Sequence, residues 1–337
     1  MIITQTPFRI TLGGGGTDLP SFYRDHGGFI FAMGINKFIY LILHRLPVTE
    51  RKSIIRYSQV EIVNTPNEIR HPLVREALQL HNIHEYVEIS STADLPAKTG
   101  LGSSGAYLVG LLTAIRTYKR QSITPAEVAE EACHIEMDIL REPVGKQDQY
   151  MAAFGGVQTL EISKSGQVNV EHLSVDFMTM LEFVQKARVY YTGIQRSANA
   201  ILKDQNEASK QKERSGHHQV VDSLLHIKEI GIEIKKSFLE KDLDRYGLLM
   251  DEHWQFKKKM SSHISLSELD DLYEKVKKEY SVLGGKIMGA GGGGFLMLYC
   301  PDKGDELDSF MTTHNMPRID YFPSTEGSRV IHDTVGY

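Results

Sequence analysis

A glycine- and serine-rich segment carries the strongest chemical signal in this sequence. It reads P-A-K-T-G-L-G-S-S-G-A over 96–106, after the alternating stretch 87–91 and before the apolar stretch 107–115. The pattern predicts a strand, a turn and a buried helix. Because the first N–H groups of a helix lack intrahelical partners and lie at the positive end of its dipole, the turn favours an anion. A serine-capped helix after a tight turn, with no ligand, is the alternative.

Four residues of this segment are suited to an anion. Gly100 and Gly102 let the backbone approach a ligand closely because they have no Cβ. Ser103 and Ser104 carry hydroxyl groups that either cap the helix or turn towards a phosphate or a metal ion.

Three carboxylates are candidates for acid–base or metal chemistry. Asp148 lies beside Lys146 in G-K-Q-D-Q-Y, which is predicted as a loop after a proline-terminated helix. There it is expected to stay ionised and accept a proton from a hydroxyl. Glu136 lies at the edge of an apolar helical stripe and is expected to point inward, where a carboxylate needs a cation. Asp18 follows a glycine run and is suited to a polyol hydroxyl. The alternatives are a turn aspartate, a glutamate in a boundary salt bridge and an Asx turn, respectively.

Several familiar site patterns are absent from the sequence. The segment 289–294 formally matches G-x-G-x-x-G, but it opens the apolar stretch 295–300 instead of leaving a strand for a helix. Gly285-Lys286 is followed by isoleucine, so it is no Walker A motif. The histidines form no recognised metal spacing, and His217-His218 is predicted to lie at the surface. No G-x-S-x-G is present.

The composition fits a globular protein of two domains. The chain has 337 residues, of which 41% are hydrophobic and 24% charged. Its net charge of −5 argues against a general binder of nucleic acid or anionic membranes. The densest basic run, Lys257-Lys258-Lys259, is predicted to form the solvated face of a helix.

Cysteine usage and apolar runs bear on the compartment. Cys133 and Cys300 lie far apart in apolar patterns, which predicts buried free thiols in a reducing compartment. The N-terminus shows no basic leader with an apolar core, and no apolar run approaches the ~18 residues of a membrane span. We therefore expect a soluble, cytoplasmic protein.

The first half of the sequence predicts mainly strands. An alternating or apolar character marks 2–3, 8–12, 29–33, 38–43, 53–63 and the paired stretches 157–162 and 168–173. Segment 71–81 predicts a short helix. Thr124-Pro125-Ala126-Glu127 predicts a capped helix start, with Val128, Ala132, Ile135 and Ile139 on its apolar face.

The second half is predicted as helices followed by strands. Residues 197–280 are almost wholly helical by pattern, and a further helix is predicted over 302–314. Strands are predicted over 187–192, 286–288, 295–300 and 318–322. The change in composition near Lys186 places a domain boundary at about 185.

Three motifs, in this order, resemble those of the GHMP kinase superfamily, which includes galactokinases and homoserine, mevalonate and phosphomevalonate kinases. Pro7-Phe8-Arg9 leading to G-G-G-T-D over 14–18 resembles the first motif. Segment 96–106 is similar to P-x-x-x-G-L-G-S-S-[AG], and 286–294 is similar to K-x-x-G-A-G-x-G-G. The resemblance spans nearly the whole chain.

Position by position, the resemblance implies roles for the residues of these motifs. Asp148 would be the catalytic aspartate, with Arg9 as the cation near it, and Ser104 and Glu136 would hold Mg²⁺. The implied ATP and phosphate contacts are Lys98, Gly100, Leu101, Gly102, Ser103, Ser104 and Gly105. The implied substrate contacts are Gly16, Thr17, Asp18, Gly289, Ala290 and Gly291.

The glycine-rich opening indicates which members of the superfamily this chain resembles. Where galactokinases have G-E-H-T-D, this chain has G-G-G-T-D over 14–18, which argues against galactose. Segment 8–20 is similar to the opening of the bacterial heptose 7-phosphate kinases, which phosphorylate the anomeric O1 on the route to GDP-heptose for surface polysaccharides. Fucose kinase domains share much of this opening and are the nearest rival.

The resemblance also implies an architecture and ligands. It implies an α+β fold with a ribosomal protein S5 domain 2-like, ATP-binding domain over 1–185 and a ferredoxin-like domain over 186–337. ATP, Mg²⁺ and a small sugar phosphate would meet in the cleft between them. No nucleic acid or membrane partner is expected, and a homodimer is one option for the oligomeric state. A catalytically silent sugar sensor on the same scaffold is the alternative of another class, and the retention of Asp148 and Glu136 argues against it.

Overall fold

The computed structural model describes residues 1–47, 51–194, 217–260, 264, 266–289 and 291–334. These residues form two β-sheets with helices packed against them, which confirms the predicted α+β class. The helices are α1 Pro20–His26, α2 Pro72–Leu80, α3 Ser103–Tyr118, α4 Pro125–Cys133, a π-helical segment His134–Ile139, α5 Gln147–Phe154, α6 Phe177–Lys186, α7 His217–Leu239, α8 Leu243–Lys258, α9 Ser267–Glu279 and α10 Gly304–Thr313.

Strands from both ends of the chain form the larger sheet. Its members are β1 Ile2–Gly13, β2 Gly28–Arg45, β3 Ser53–Arg56, β4 Val60–Val63, β5 Val87–Ala93, β6 Val157–Ile162, β7 Val168–His172 and β12 Arg329–Asp333. They follow the order β12-β1-β2-β5-β3-β4, and β6 pairs with both β2 and β7. The predicted strands 29–33 and 38–43 are one continuous strand, β2, because its first half pairs with β6 and its second half with β5.

The smaller sheet lies in the C-terminal half. Its described strands are β8 Ala187–Tyr191, β9 Gly284–Ile287, β10 Phe295–Tyr299 and β11 Arg318–Ile319. They are antiparallel in the order β11-β8-β10-β9. Helices α7 to α9 connect β8 to β9, and α10 connects β10 to β11, which gives the β-α-β-β-α-β arrangement of ferredoxin-like units. Strand β11 is shorter than the predicted stretch 318–322.

Helices that pack against the two sheets bring the sequence motifs together. Helix α3 packs against β1, β2 and α5, while α8 packs against β9. Helix α7 crosses the end of β1, where a Cβ on Gly13 would lie 2.8 Å from the Cα of Gly231. The first glycine run therefore has a packing role at Gly13, because only residues without a Cβ allow this close approach.

Local signals in the sequence explain several helix boundaries. Thr124 caps α4 and forms the predicted capping box with Glu127, so both reciprocal hydrogen bonds are present.

Cys133 and Cys300 are buried free thiols, as predicted. In the described ranges we find no helix that is both long enough and apolar enough to cross a membrane.

The C-terminal strand was not predicted. Its residues Arg329–Asp333 pair with β1 in the larger sheet, which belongs otherwise to the first half of the chain. Helix α6 ends at Lys186 and β8 begins at Ala187. The division into 1–185 and 186–337 stays a prediction, and residues 329–333 cross it to complete the larger sheet.

Candidate active site

The glycine- and serine-rich segment forms a turn that enters α3 without a side-chain cap. Gly102 is the N-cap residue in the left-handed conformation, with φ of 79°. The alternative of a serine-capped helix is not observed, since the Ser103 hydroxyl instead accepts a hydrogen bond from the Lys98 N–H at 3.3 Å. The hydroxyl of Ser104 donates to Glu136. The first-turn N–H groups of α3 are therefore available to an anion.

A π-helical segment places Glu136 in the interior. The wide turn is marked by the hydrogen bond from the Leu140 N–H to the Ile135 carbonyl, at 2.9 Å. It interrupts the 3.6-residue period, so Ile135 and Glu136 are both buried while Ile139 is 38% exposed. The predicted inward orientation of Glu136 is confirmed, and the predicted place of Ile139 on the apolar face is wrong.

The carboxylate of Glu136 is held by two polar side chains. Ser104 donates to one oxygen and the amide of Gln149 to the other. Burial raises the pKa of Glu136 to about 7, against the opposing effect of these two hydrogen bonds. A carboxylate and a hydroxyl that share a buried position offer the oxygen donors that Mg²⁺ prefers.

Asp148 pairs with Arg9 at the centre of the site. Arg9 Nε donates to Asp148 Oδ1 at 2.8 Å, and Nη2 of the same guanidinium lies 2.7 Å from that oxygen. Nη1 of Arg9 donates to the Gly100 carbonyl at 2.6 Å, so one arginine joins the aspartate to the glycine turn. The amide of Gln147 also donates to Oδ1, at 3.1 Å. Among the described residues, Oδ2 of Asp148 has no hydrogen-bond partner, which leaves it available for a ligand.

Two sequence predictions about Asp148 are wrong. It lies in the first turn of α5, not in a loop. Lys146 does not balance its charge, because the Lys146 ammonium donates to Glu130 at 2.6 Å and to the Gly166 carbonyl at 2.7 Å. Arg9, which the motif resemblance implied as the cation near Asp148, makes this ion pair instead.

Asp18 connects the first motif to α5. Its Oδ2 accepts a hydrogen bond from the Gln147 N–H at 3.0 Å, and burial raises the pKa of Asp18. A Cβ on Gly145 would lie 2.0 Å from the same oxygen, so this contact requires glycine there. The hydroxyl of Thr17 lies 2.8 Å from the carbonyls of Gly14 and Phe29. Thr17 therefore braces the turn from a fully buried position.

The third motif packs against the second. A Cβ on Gly289 would lie 2.5 Å from the Cα of Gly100, and one on Gly294 would lie 2.3 Å from the Thr99 carbonyl oxygen. The glycines at these two positions thus allow direct backbone contact between the motifs. Gly291 packs against Ile264, while Ala290 lies outside the described residues.

Three buried basic side chains that the sequence analysis did not assign to the site lie beside these motifs. Lys257, Lys286 and His253 are 6%, 2% and 1% exposed, and we call them the basic floor. The Lys257 ammonium donates to the Gly289 carbonyl, and burial lowers its pKa to about 7, with a further effect from Arg9. The predicted solvated face is therefore wrong for Lys257. Lys258 is half-buried and pairs with Asp270 at 3.1 Å, and Lys259 is exposed.

One cavity of about 900 Å³ joins all of these groups. The basic floor lines it together with most of the predicted site residues. Those that line it are Arg9, Gly16, Asp18, Lys98, Gly100, Gly102, Ser103, Ser104, Glu136, Asp148 and Gly289. The predicted contacts Thr17, Leu101, Gly105 and Gly291 lie outside its lining.

An aromatic cluster lines the other end of the cavity. The rings of His71 and Tyr107 stack with centroids 4.8 Å apart, and Tyr57 meets His71 edge-on at 4.7 Å. Nδ1 of His71 and the Tyr107 hydroxyl are buried without a hydrogen-bond partner among the described residues. The sequence carries no motif that would have predicted this cluster.

The fold and the site define an ATP-dependent phosphotransferase whose acceptor is an alcohol group. Residues 70–156 match the GHMP kinases N terminal domain and residues 234–309 match the GHMP kinases C terminal domain. The chain belongs to the GHMP kinases. Within that family it is a sugar kinase.

Individual relatives agree with this assignment. The chain is 27% identical over 315 residues to a D-glycero-alpha-D-manno-heptose 7-phosphate kinase of Campylobacter jejuni, with 88% of this chain and 89% of the relative covered. It is 25% identical to the L-fucokinase/L-fucose-1-P guanylyltransferase of Bacteroides fragilis, but covers only 34% of that protein. A crystal structure of a D-glycero-D-manno-heptose 1-phosphate kinase from Bacteroides thetaiotaomicron superposes with a TM-score of 0.80 at 20% identity, covering 99% of each chain. At that identity, the structural likeness establishes the fold alone.

Proposed function

We propose that this chain phosphorylates D-glycero-α-D-manno-heptose 7-phosphate at O1 with ATP to give the 1,7-bisphosphate, as a step towards GDP-heptose for surface polysaccharides. The observation that carries the reaction is the pairing of Asp148 with Arg9 beside the glycine turn, with one carboxylate oxygen open to the cavity. The likeness to the Campylobacter jejuni heptose 7-phosphate kinase supports the choice of substrate.

ATP would extend along the cavity from the aromatic cluster to the start of α3. The stacked rings of His71 and Tyr107 offer an apolar surface for the base, with two unpaired polar atoms for its edge. The β- and γ-phosphates would lie against Gly100, Gly102 and the first-turn N–H groups that follow them. This placement matches the preference of a helix N-terminus for phosphate.

Ser104 and Glu136 fit a magnesium ion. Glu136 is 2% exposed, and no cation among the described residues pairs with it, so a bound cation would stabilise its ionised form. When bound, Mg²⁺ neutralises charge on the β- and γ-phosphates of the nucleotide. Gln149 would fix the second carboxylate oxygen and so orient the first.

Asp148 is the base in the proposed reaction. The O1 hydroxyl of the sugar would give its proton to Oδ2 of Asp148 while its oxygen bonds to the γ-phosphorus, and the bond from that phosphorus to the ADP oxygen breaks. Arg9 holds the Asp148 carboxylate in position through two contacts to Oδ1. Since this transition state is loose, positioning and charge stabilisation supply most of the rate.

A substrate panel tests the proposal. ATP consumption should be measured with the heptose 7-phosphate, sedoheptulose 7-phosphate, L-fucose, galactose and homoserine. We expect turnover with the heptose phosphate alone, and ³¹P NMR should place the new phosphate on O1. Phosphorylation of L-fucose is the second candidate function, because the chain is similar to the fucokinase of Bacteroides fragilis. Turnover of free L-fucose instead would contradict the proposed substrate but leave the proposed mechanism unchanged. Sugar binding without ATP consumption would contradict the kinase assignment and favour a sensor.

A further inference from the structure

The basic floor is electrostatically unusual. Lys257 and Lys286 are both buried, and neither forms an ion pair with a carboxylate in the described ranges. Each lies close enough to Arg9 for mutual repulsion, and Lys286 also repels Lys257. Burying like charges without a counter-charge is unfavourable. An arrangement of this kind fits a cavity that receives an anion.

His253 adds a second, independent feature. Its ring is 1% exposed and lines the cavity, and both ring nitrogens lack a hydrogen-bond partner among the described residues. Burial and the two lysines hold its pKa well below the usual range, so the imidazole is neutral. A neutral imidazole has one N–H to donate, and a phosphate oxygen would accept it.

The contacts of the basic floor connect it to the first and third motifs. The nearest backbone acceptor of Lys286 is the Leu12 carbonyl at 3.5 Å, just before the glycine run of the first motif. Lys257 reaches Gly289 of the third motif. The triphosphate is assigned instead to the start of α3. Because Gly289 also contacts Gly100 of that turn, the test has to distinguish the substrate phosphate from the nucleotide phosphates.

Other basic residues near the cleft are less suitable. Lys146 is already engaged by Glu130 and Gly166. Arg141 lies outside the cavity lining, and Lys98 is exposed on the glycine turn itself. Arg196 lies outside the described residues. Among the described basic side chains, Lys257 and Lys286 combine deep burial with a place on the substrate side of the cavity.

We propose that Lys257 and Lys286, with the imidazole of His253, bind the phosphate group that the sugar substrate already carries. This inference rests on the proposed function, because it requires a phosphorylated sugar. It makes the floor the part of the site that selects a sugar phosphate over the parent sugar. Two lysines, protonated once the anion is bound, and an N–H donor supply the charge-assisted hydrogen bonds that a phosphate monoester dianion needs.

The test compares affinities for the sugar phosphate and for the parent sugar. Calorimetry without ATP should measure D-glycero-D-manno-heptose 7-phosphate and unphosphorylated heptose on the wild type, Lys257→Met and Lys286→Met. We expect each substitution to lower the affinity for the sugar phosphate by about tenfold to hundredfold, which corresponds to the loss of one charged hydrogen bond. The affinity for the parent sugar should change little. Lys258→Met is the matched control, because Lys258 is on the same helix but pairs with Asp270.

Steady-state kinetics separates the substrate phosphate from the nucleotide phosphates. The KM for the sugar phosphate should rise in both variants while the KM for ATP stays within about twofold. A rise in the KM for ATP alone would overturn the proposal, because the floor would then serve the nucleotide. Equal weakening of both sugars would overturn it as well. Lys257→Arg should retain more affinity for the sugar phosphate than Lys257→Met, which a purely structural effect of the substitution does not predict.

Inorganic phosphate keeps this test distinct from that of the proposed function. We expect inorganic phosphate to compete with the sugar substrate for binding in the wild type and in Lys258→Met. In Lys257→Met and Lys286→Met, we expect phosphate no longer to compete. If the enzyme phosphorylates only unphosphorylated sugars, the proposed function and the substrate assignment of the floor both fail, even where phosphate still binds there. If the heptose phosphate is the substrate but phosphate competition is unchanged in both variants, only the assignment of the floor is overturned.

Discussion

Replacement of Asp148 by asparagine gives the sharpest test of the catalytic arrangement. The change keeps the shape of the side chain but removes the carboxylate that would accept the hydroxyl proton. General-base catalysis contributes about 10²–10⁴-fold, so kcat should fall by that factor, or about 3–5 kcal/mol of barrier. The affinity for ATP should change by less than about threefold, because the nucleotide is assigned to α3 and the aromatic cluster and not to this side chain.

The same substitution should also alter stability in a measurable way. Arg9 loses its ionic partner, but its Nη1 keeps the hydrogen bond to the Gly100 carbonyl, and the side chain of Asp148 is itself 33% exposed. We therefore expect a loss of about 1–2 kcal/mol, below the 3–5 kcal/mol of a fully buried pair. Thermal unfolding by calorimetry measures this term separately from catalysis.

Single-turnover quench-flow with saturating ATP is the assay of choice, since it reports the chemical step and not product release. Asp138→Asn is the control, because Asp138 lies in the π-helical segment with its side chain 70% exposed. We expect its kcat to match that of the wild type. A chemical step in Asp148→Asn within about threefold of the wild type would refute the role of Asp148 as base. A large loss of ATP affinity would refute the separation of the two subsites.

Four further predictions concern three other residues of the site. Gly145→Ala places a methyl group 2.0 Å from Asp18 Oδ2 and should displace α5, which lowers both kcat and the melting temperature in activity and calorimetric assays. Glu136→Gln should raise the Mg²⁺ concentration needed for half-maximal activity by about tenfold or more, measured by metal titration. Burial raises the pKa of Glu136 to about 7, above the value of this carboxyl in the unfolded chain. Without metal, the free energy of unfolding of the wild type should therefore fall relative to that of Glu136→Gln as the pH rises from the unfolded-state pKa towards 7. Unfolding measured at several pH values checks this. Since the pKa of Lys257 is lowered to about 7, affinity for the sugar phosphate should fall by up to about tenfold per pH unit above 7, and calorimetry in buffers of different ionisation enthalpy should show proton uptake on binding.

The sequence by itself determined the parts of this protein that depend on neighbouring residues. The capping box at Thr124 is formed within one turn of helix, so its residues suffice to predict it. The hairpin of β6 and β7 follows from two alternating stretches joined by a glycine turn. The glycine- and serine-rich turn at the start of α3 is equally local, and with it the motif pattern identified the family and pointed to Asp148 and Glu136.

The tertiary structure decided the parts that depend on packing between distant segments. Proximity in sequence favoured Lys146 as the partner of Asp148, but the Lys146 ammonium binds Glu130, and Arg9, the cation that the resemblance implied, pairs with Asp148. Ile139 is exposed because the π-helical segment shifts the helical phase, which no regular period predicts. Strand β12 joins β1 although more than three hundred residues separate them, a pairing that sequence periodicity does not encode.

The basic floor shows most clearly that a local sequence pattern does not predict which side chains are buried. A run of three lysines is typical of a solvated face, and the exposed Lys259 follows that rule. Lys257 does not, because α8 packs against β9 and carries this side chain into the cavity beside Lys286. Residue type and local period predict that a helix forms, but the contacts between elements determine which of its faces is buried. The chemistry of the motifs was therefore readable from the sequence, whereas the residues proposed to hold the substrate phosphate emerged only from the folded chain.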